Sequence, residues 1–203
     1  MNVRIEKFMS LRSQNFPYAY YQGKVFCFAA SKQTRFSYFG GSARHVMSGL
    51  EHGPRPLHHI LTIWNRDMDI QGYNFGNEIP LMYGVSFDGC DLEYKRTAHR
   101  AIEVTKISPT KSSEDWPYQY YPFLLPYVPL EIKESRKCSI EEFGDSVMQG
   151  VRGIKDTEII VIVPPNPEIG VSIWGLEGDA NDVQIIFRYD AATGITKAYN
   201  ACT

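Results

Sequence analysis

Apolar and polar positions alternate most regularly between Leu81 and Lys95, on either side of the dipeptide Asp88-Gly89. Asp-Gly is a preferred sequence for a two-residue type I′ turn, because both central residues of that turn have a positive φ. A hairpin that turns there has three cross-strand pairs on one apolar face, namely Tyr83 with Tyr94, Val85 with Leu92 and Phe87 with Cys90. A one-residue slip would move every apolar side chain to the opposite face, so the pattern predicts this register.

Several other segments are rich in β-branched and aromatic residues, which favour strands. Lys24–Ala29 and Arg35–Phe39 are predicted to pair as an opening hairpin. His58–Asn65 carries apolar residues on both faces, which predicts a strand inside the sheet. Ala101–Ile107 is predicted to be a strand, and Tyr127–Lys133 a further edge strand.

The C-terminal part of the chain has the pattern of a meander. Its predicted strands are Glu158–Val163, Ile169–Trp174, Val183–Tyr189 and Ile195–Tyr199. Asp190–Gly194 suits a type I turn followed by a left-handed glycine. In the third strand, Gln184 and Arg188 share a face with Ile186, so we expect this sheet to be covered on one side only.

Two segments have the start signals of helices. Ser42 is an N-cap residue type, and Val46 and Leu50 follow at i, i+4 spacing, so a short helix is predicted through Leu50. Ser139 and Glu142 match a capping box. The apolar stripe that follows consists of Ile140, Phe143, Val147, Val151 and Ile154. Interspersed glycines weaken this second helix, so we expect it to dock on the sheet.

Together these elements predict an α+β fold. It consists of a mainly antiparallel sheet or pair of sheets, built from hairpins and a C-terminal meander, with one or two packed helices. At 203 residues the chain is expected to form a single domain, 1–203, with sub-halves 1–115 and 116–203 as the alternative division.

Charge and hydropathy narrow the class of partner. Lys and Arg number 21 against 23 Asp and Glu, a formal net charge of −2, so no global field attracts nucleic acid or an anionic membrane. The sequence contains neither the apolar core of a signal peptide nor an apolar run of membrane-spanning length. We therefore expect a soluble, cytoplasmic protein with no nucleic-acid or membrane partner.

The sequence gives no signal for a cofactor or a metal. It has no glycine-rich dinucleotide motif and no P-loop. The four cysteines lack C-x-x-C spacing and are predicted to be reduced thiols, with Cys90 as a packing residue. His58 and His59 are adjacent, so on a strand they point to opposite faces unless a bulge intervenes. The histidines are accordingly predicted to be hydrogen-bonded structural residues rather than metal ligands.

One catalytic alternative remains open at this stage. A histidine of the segment His45–His59, with His45 and His58 as the candidates, would act as a general acid or base. Arg44 or Arg55 beside it would stabilise an anion. Backbone N–H groups of Gly40-Gly41-Ser42 could add to such an anion site.

Aromatic rings and prolines concentrate in Trp116–Pro129, where four prolines in 14 residues exclude a regular helix. Amphipathic rings on a stiff backbone lose little entropy on binding. The predicted binding residues are Trp116, Tyr118, Tyr120 and Tyr121. The leading hypothesis is therefore a cytosolic, non-catalytic binding or regulatory module that engages a protein partner. The alternatives are the metal-independent histidine–arginine enzyme, which acts on a small molecule, and a carbohydrate-binding domain whose rings stack on a glycan.

Overall fold

The computed structural model describes residues 11, 15–49, 57–70, 76–85, 90–98, 100–108, 124–147, 151–165, 168 and 183–202. These residues form twelve β-strands and one α-helix, α1. In chain order they are β1 (Tyr18–Tyr21), β2 (Lys24–Ala30), β3 (Tyr38–Phe39), β4 (Val46–Gly49), β5 (His58–Trp64), β6 (Glu78–Tyr83), β7 (Asp91–Ala98), β8 (Ala101–Ser108), β9 (Val128–Lys137), α1 (Ile140–Ser146), β10 (Glu158–Val163), β11 (Val183–Asp190) and β12 (Ile195–Cys202).

The strands make one sheet in the order β4-β8-β7-β12-β11-β10-β1-β2-β9-β3-β5-β6. Among the described strand pairs, all are antiparallel except β4 with β8. A mainly antiparallel sheet with a packed helix is therefore confirmed.

Two apolar cores lie on opposite faces of this sheet. The larger core takes side chains from β1, β2, β3 and every strand from β5 to β12, so the inner face of the sheet surrounds it. The smaller core lies between α1 and the other face of β1, β2, β10 and β11, where Phe143 stacks on Tyr20 at 4.8 Å between ring centroids. Gln184 and Ile186 are buried on this second face, so the prediction that the meander is covered on one side only is wrong.

The structure corrects the predicted hairpin at Asp88-Gly89. β6 and β7 are not neighbours in the sheet, because β6 pairs with β5 while β7 pairs with β8 and β12. The turn itself, residues 86–89, lies outside the described residues. Tyr83 and Tyr94 do face the same core, which explains why the alternation suggested a pair. Cys90 is buried in that core, as predicted.

Tyr94 and Arg96 of β7 instead seal the free edge of β6. The Tyr94 hydroxyl donates to the Pro80 carbonyl at 3.0 Å and accepts from the Met82 N–H at 2.9 Å. Two residues further along β7, Arg96 Nη1 donates to the carbonyl of Glu78, which precedes Pro80 by two residues in β6, at 2.6 Å. Side chains of one strand thus bond backbone groups at the edge of another, and Pro80 fits there because it has no N–H to satisfy.

Two further pairings differ from the predictions. Lys24–Ala29 lies in β2, which pairs with β1 through the turn Gln22-Gly23, whose φ values are 46° and 73°. β9 lies between β2 and β3, so the predicted opening hairpin is wrong, and β9 is an interior strand rather than an edge. β5 is an interior strand, as predicted for His58–Asn65.

The segment after Ser42 is a strand, not the predicted helix. Val46–Gly49 pairs in parallel with β8, and the Val46 N–H donates to the Arg100 carbonyl at 2.9 Å. At Gly49 the φ is +100°, and a Cβ there would lie 2.3 Å from the Val104 carbonyl oxygen. Only glycine allows this approach to β8, whereas one i, i+4 apolar pair was too little signal to specify a helix.

The other local predictions are largely confirmed. Ser139 caps α1 and accepts from the Glu142 N–H at 3.1 Å, but α1 ends at Ser146, well before Ile154. β8, β10, β11 and β12 occupy their predicted segments, and Gly194 closes the last turn with φ 71°. Ile169–Trp174 lies outside the described residues.

Candidate functional site

Aromatic rings in and beside the strands β9, β3 and β5 lie on the face opposite the larger core. Phe39 and Leu61 pair across β3 and β5 and enter that core. Because side chains alternate along a strand, Tyr38, Thr62 and Trp64 belong to the opposite, outer face. The Phe36 and Trp64 rings stack there, with centroids 4.6 Å apart and planes inclined by 22°. Phe36 is 62% exposed in spite of this contact.

Tyr38 is the centre of the outer face. Its ring centroid lies 5.2 Å from that of His59 and 5.2 Å from that of Tyr127, and the Arg44 guanidinium carbon lies 5.4 Å from it. These neighbours leave Tyr38 only 2% exposed, whereas Tyr127 is 48% exposed. We call the exposed rings of Phe36 and Tyr127, the partly buried ring of Trp64, and Arg44 the aromatic surface.

Gly40 and Gly41 bring Tyr127 onto Tyr38. Gly40 has φ +60°, and a Cβ there would lie 2.2 Å from the Pro126 carbonyl oxygen. The Gly41 N–H donates to the Leu125 carbonyl and the Gly40 N–H to the Ile60 carbonyl, each at 2.8 Å. These two N–H groups therefore tie adjacent segments together and do not form the anion site suggested by the sequence.

Arg44 is the accessible charge of the aromatic surface. One of its terminal nitrogens lies 3.3 Å from a Glu78 carboxylate oxygen. The Arg44 side chain is 51% exposed and that of Glu78 only 11%. Stacking over Tyr38 and pairing with Glu78 hold the guanidinium at the surface, where it faces water.

His59 lies beneath this surface because β5 has a bulge between His59 and Leu61. Its Nδ1 is 2.8 Å from the Gly40 carbonyl oxygen and its Nε2 is 2.8 Å from Thr62 Oγ1. A carbonyl can only accept, so Nδ1 carries the proton and the Thr62 hydroxyl donates to Nε2. Burial, reinforced by the nearby charge of Arg44, lowers the pKa of His59 to about 4.

A hydroxyl hydrogen-bonded to an oriented imidazole resembles an activated nucleophile. Thr62 is 0% exposed, however, so a substrate atom has no access to its Oγ1. The His59–Thr62 pair therefore joins the bulged strand β5 to Gly40 and is a structural element of the surface.

The structure brings together only some of the residues that the sequence singled out. Arg44 lies at the aromatic surface, and His45 and His58 are both buried. His58 lies next to His59 at the start of β5, where it pairs with Tyr83. The predicted binding residues Trp116, Tyr118, Tyr120 and Tyr121 lie outside the described residues.

Three participants carried no distinctive sequence signal. Phe36 and Trp64 meet only because β3 pairs with β5, a register that neither segment reveals alone. Simple alternation places His59 on the same face of β5 as Leu61. Only the bulge between these two residues brings the His59 side chain to the outer face, beside Thr62.

Neither metal nor thiol chemistry marks an alternative centre in the described part of the chain. Its His, Cys, Asp and Glu side chains form no group of three or more suited to hold a metal ion. Cys27, Cys90 and Cys138 are buried free thiols, and burial raises the pKa of each to about 11, so they stay protonated near neutral pH. Within the described ranges, no helix is long and apolar enough to cross a membrane.

No family model, curated protein or solved structure matches this chain.

Proposed function

We propose that this chain is a non-catalytic binding module, and that the aromatic surface contacts a protein partner. The observation that carries the proposal is the stacked Phe36–Trp64 pair, in which Phe36 remains 62% exposed. A folded protein gains free energy by burying such a ring, so an exposed stacked pair suits a contact with another molecule.

The composition of the surface supports a protein as the partner. Trp, Tyr and Arg are the residue types enriched at the energetic centres of protein interfaces. Trp64, Tyr127 and Arg44 supply one of each, and all three are fixed by contacts within the protein before any partner arrives. Such preorganisation reduces the entropy lost on binding.

The proposal is tested by capturing partners on immobilised full-length protein and on the variants Phe36→Ser and Tyr127→Ala, with quantitative mass spectrometry. Ile140→Ser is the matched control, because Ile140 is an apolar side chain that is 43% exposed and lies on α1, beside the smaller core. We expect one partner to be lost from both surface variants and retained by the control. Titration of that purified partner should show a loss of ~10-fold or more in affinity for each surface variant.

Two results would contradict the proposal. One is a partner that binds the surface variants as tightly as the unmodified protein, while circular dichroism shows all variants to be folded. The other is a glycan that binds the unmodified protein and loses affinity with Phe36→Ser, because that result would assign the rings to carbohydrate.

A further inference from the structure

We infer that the partner places a carboxylate side chain, Asp or Glu, on Arg44, with apolar side chains on the rings beside it. This inference rests on the proposed function and adds the chemistry of the central contact.

Arg44 has hydrogen-bonding capacity that the described part of the protein leaves unused. A guanidinium has five N–H donors in a planar fork, which matches the two oxygens of a carboxylate. Within the described residues, Arg44 makes one hydrogen bond, the 3.3 Å contact to Glu78. With half of the side chain exposed, a second carboxylate can approach the remaining donors.

The guanidinium of Arg44 is also held in place by the ring beneath it, since its carbon lies 5.4 Å from the Tyr38 ring centroid. Tyr38 itself is only 2% exposed, so its hydroxyl is closed to a partner and its ring serves to position Arg44. A charge fixed in this way loses little entropy when a carboxylate pairs with it.

Exposure decides which charge of the Arg44–Glu78 pair meets the partner. The Glu78 side chain is only 11% exposed and cannot be reached without displacing its surroundings, whereas Arg44 is 51% exposed. A basic partner residue would be repelled by Arg44 before it reached Glu78. An acidic residue is attracted to Arg44, and the Tyr38, Tyr127 and Trp64 rings exclude water around the new pair.

The test uses a random 12-residue peptide library displayed on phage and selected on the immobilised full-length protein. Peptides whose binding is lost with Phe36→Ser are synthesised and titrated calorimetrically. We expect these peptides to share an Asp or Glu next to aromatic, Leu or Pro residues. Arg44→Gln and the peptide change Asp→Asn or Glu→Gln should each weaken binding ~10-fold, and the two together should cost little more than either alone.

A control variant separates the local charge of Arg44 from the net charge of the protein. Arg152→Gln removes an exposed arginine next to Val151 of the smaller core. Its peptide affinity should equal that of the unmodified protein.

The outcomes distinguish this inference from the proposed function. Selected peptides that depend on Phe36 and Tyr127 but lack an acidic residue and tolerate Arg44→Gln would overturn the carboxylate contact alone. A library that yields no peptide dependent on Phe36 or Tyr127 counts against the carboxylate contact and against the proposed function as well.

Discussion

At the scale of single residues, His59 shows how a local irregularity decides the role of a side chain. The bulge in β5 turns its imidazole toward Gly40 and Thr62, where both ring nitrogens are hydrogen-bonded. The ring is neutral there, since a second proton on Nε2 would displace the Thr62 hydroxyl hydrogen from its bond. Protonation of His59 is thus opposed by both burial and hydrogen bonding.

The depressed pKa of His59 predicts a pH-dependent stability. The pKa is 6.5 in the unfolded chain and about 4 in the folded protein, so between these values the unfolded state binds more protons. Neutral His59 therefore contributes to the free energy of unfolding fully above pH 6.5, and this contribution is lost as the pH decreases toward 4. The full loss is about 3 kcal/mol. Urea denaturation at pH 7.5 and pH 4.5 measures the loss.

His59→Gln is the control for this prediction, because an amide can donate to the Gly40 carbonyl and accept from Thr62 without titrating. We expect the variant to lose less stability between the two pH values, by about 2.5 kcal/mol, since the other titrating groups are common to both proteins. Parallel pH profiles would show that His59 does not keep a depressed pKa.

Sequence reasoning succeeded at residue scale where the chemistry is local. Ser139 was identified as a cap, and Gly194 as a left-handed turn residue, from the side chain and its immediate neighbours. Cys90 was correctly identified as a packing residue. His59 and Phe36 were missed as members of the candidate site, because their positions depend on a bulge and on a pairing between separate strands. No pattern within one segment encodes either feature.

At the scale of elements, the seal on the β6 edge explains how an exposed sheet edge is avoided without another strand. Tyr94 bonds two backbone groups of β6, and Arg96 bonds a third. Unpaired edges invite association with other chains, so this arrangement also protects the protein from strand addition at β6.

We expect Tyr94→Phe to destabilise the protein by about 2–4 kcal/mol, because it leaves the buried Met82 N–H and Pro80 carbonyl without the hydroxyl that satisfies them. Tyr199→Phe is the matched control, with an expected change within about 0.5 kcal/mol for a partly buried tyrosine at the other core. Urea denaturation of both variants at neutral pH measures the difference. Equal losses would mean that the hydroxyl of Tyr94 does not seal the edge.

The predicted hairpin between the strands on either side of Asp88-Gly89 was wrong for a physical reason. Alternation reports which residues of a strand face a core, and Tyr83 and Tyr94 do face the same one. It does not report whether the two strands are hydrogen-bonded to each other or packed across a core. The local signals thus identified most strands, while their partners had to come from the structure.

At the scale of the whole molecule, the strand order interleaves the two parts of the chain. Residues 1–115 supply three separate blocks of the sheet, β4-β8-β7, β1-β2 and β3-β5-β6. The strands β10 to β12 join the first block to the second, and β9 joins the second to the third. Sequence patterns identified the mainly antiparallel fold class but could not give this order, because each junction unites strands that are distant along the chain.

The interleaved order predicts that residues 1–115 expressed alone do not fold. Without β9 to β12 the three blocks share no strand pairs, so we expect no cooperative thermal transition and poor dispersion in the amide NMR spectrum. Coexpression with residues 116–203 is the control and should restore both. A dispersed spectrum from residues 1–115 alone would contradict the prediction.

The position of the β1–β2 hairpin in the centre of the sheet has a consequence for protein synthesis. The ribosome completes this hairpin about a hundred residues before it begins β9, and still longer before it begins β10. At ~5–20 residues per second, both of its edges remain without their native partners for roughly 5 to 30 s. During that interval the nascent chain presents two unpaired strand edges, so we expect chaperones that bind such edges to raise its yield.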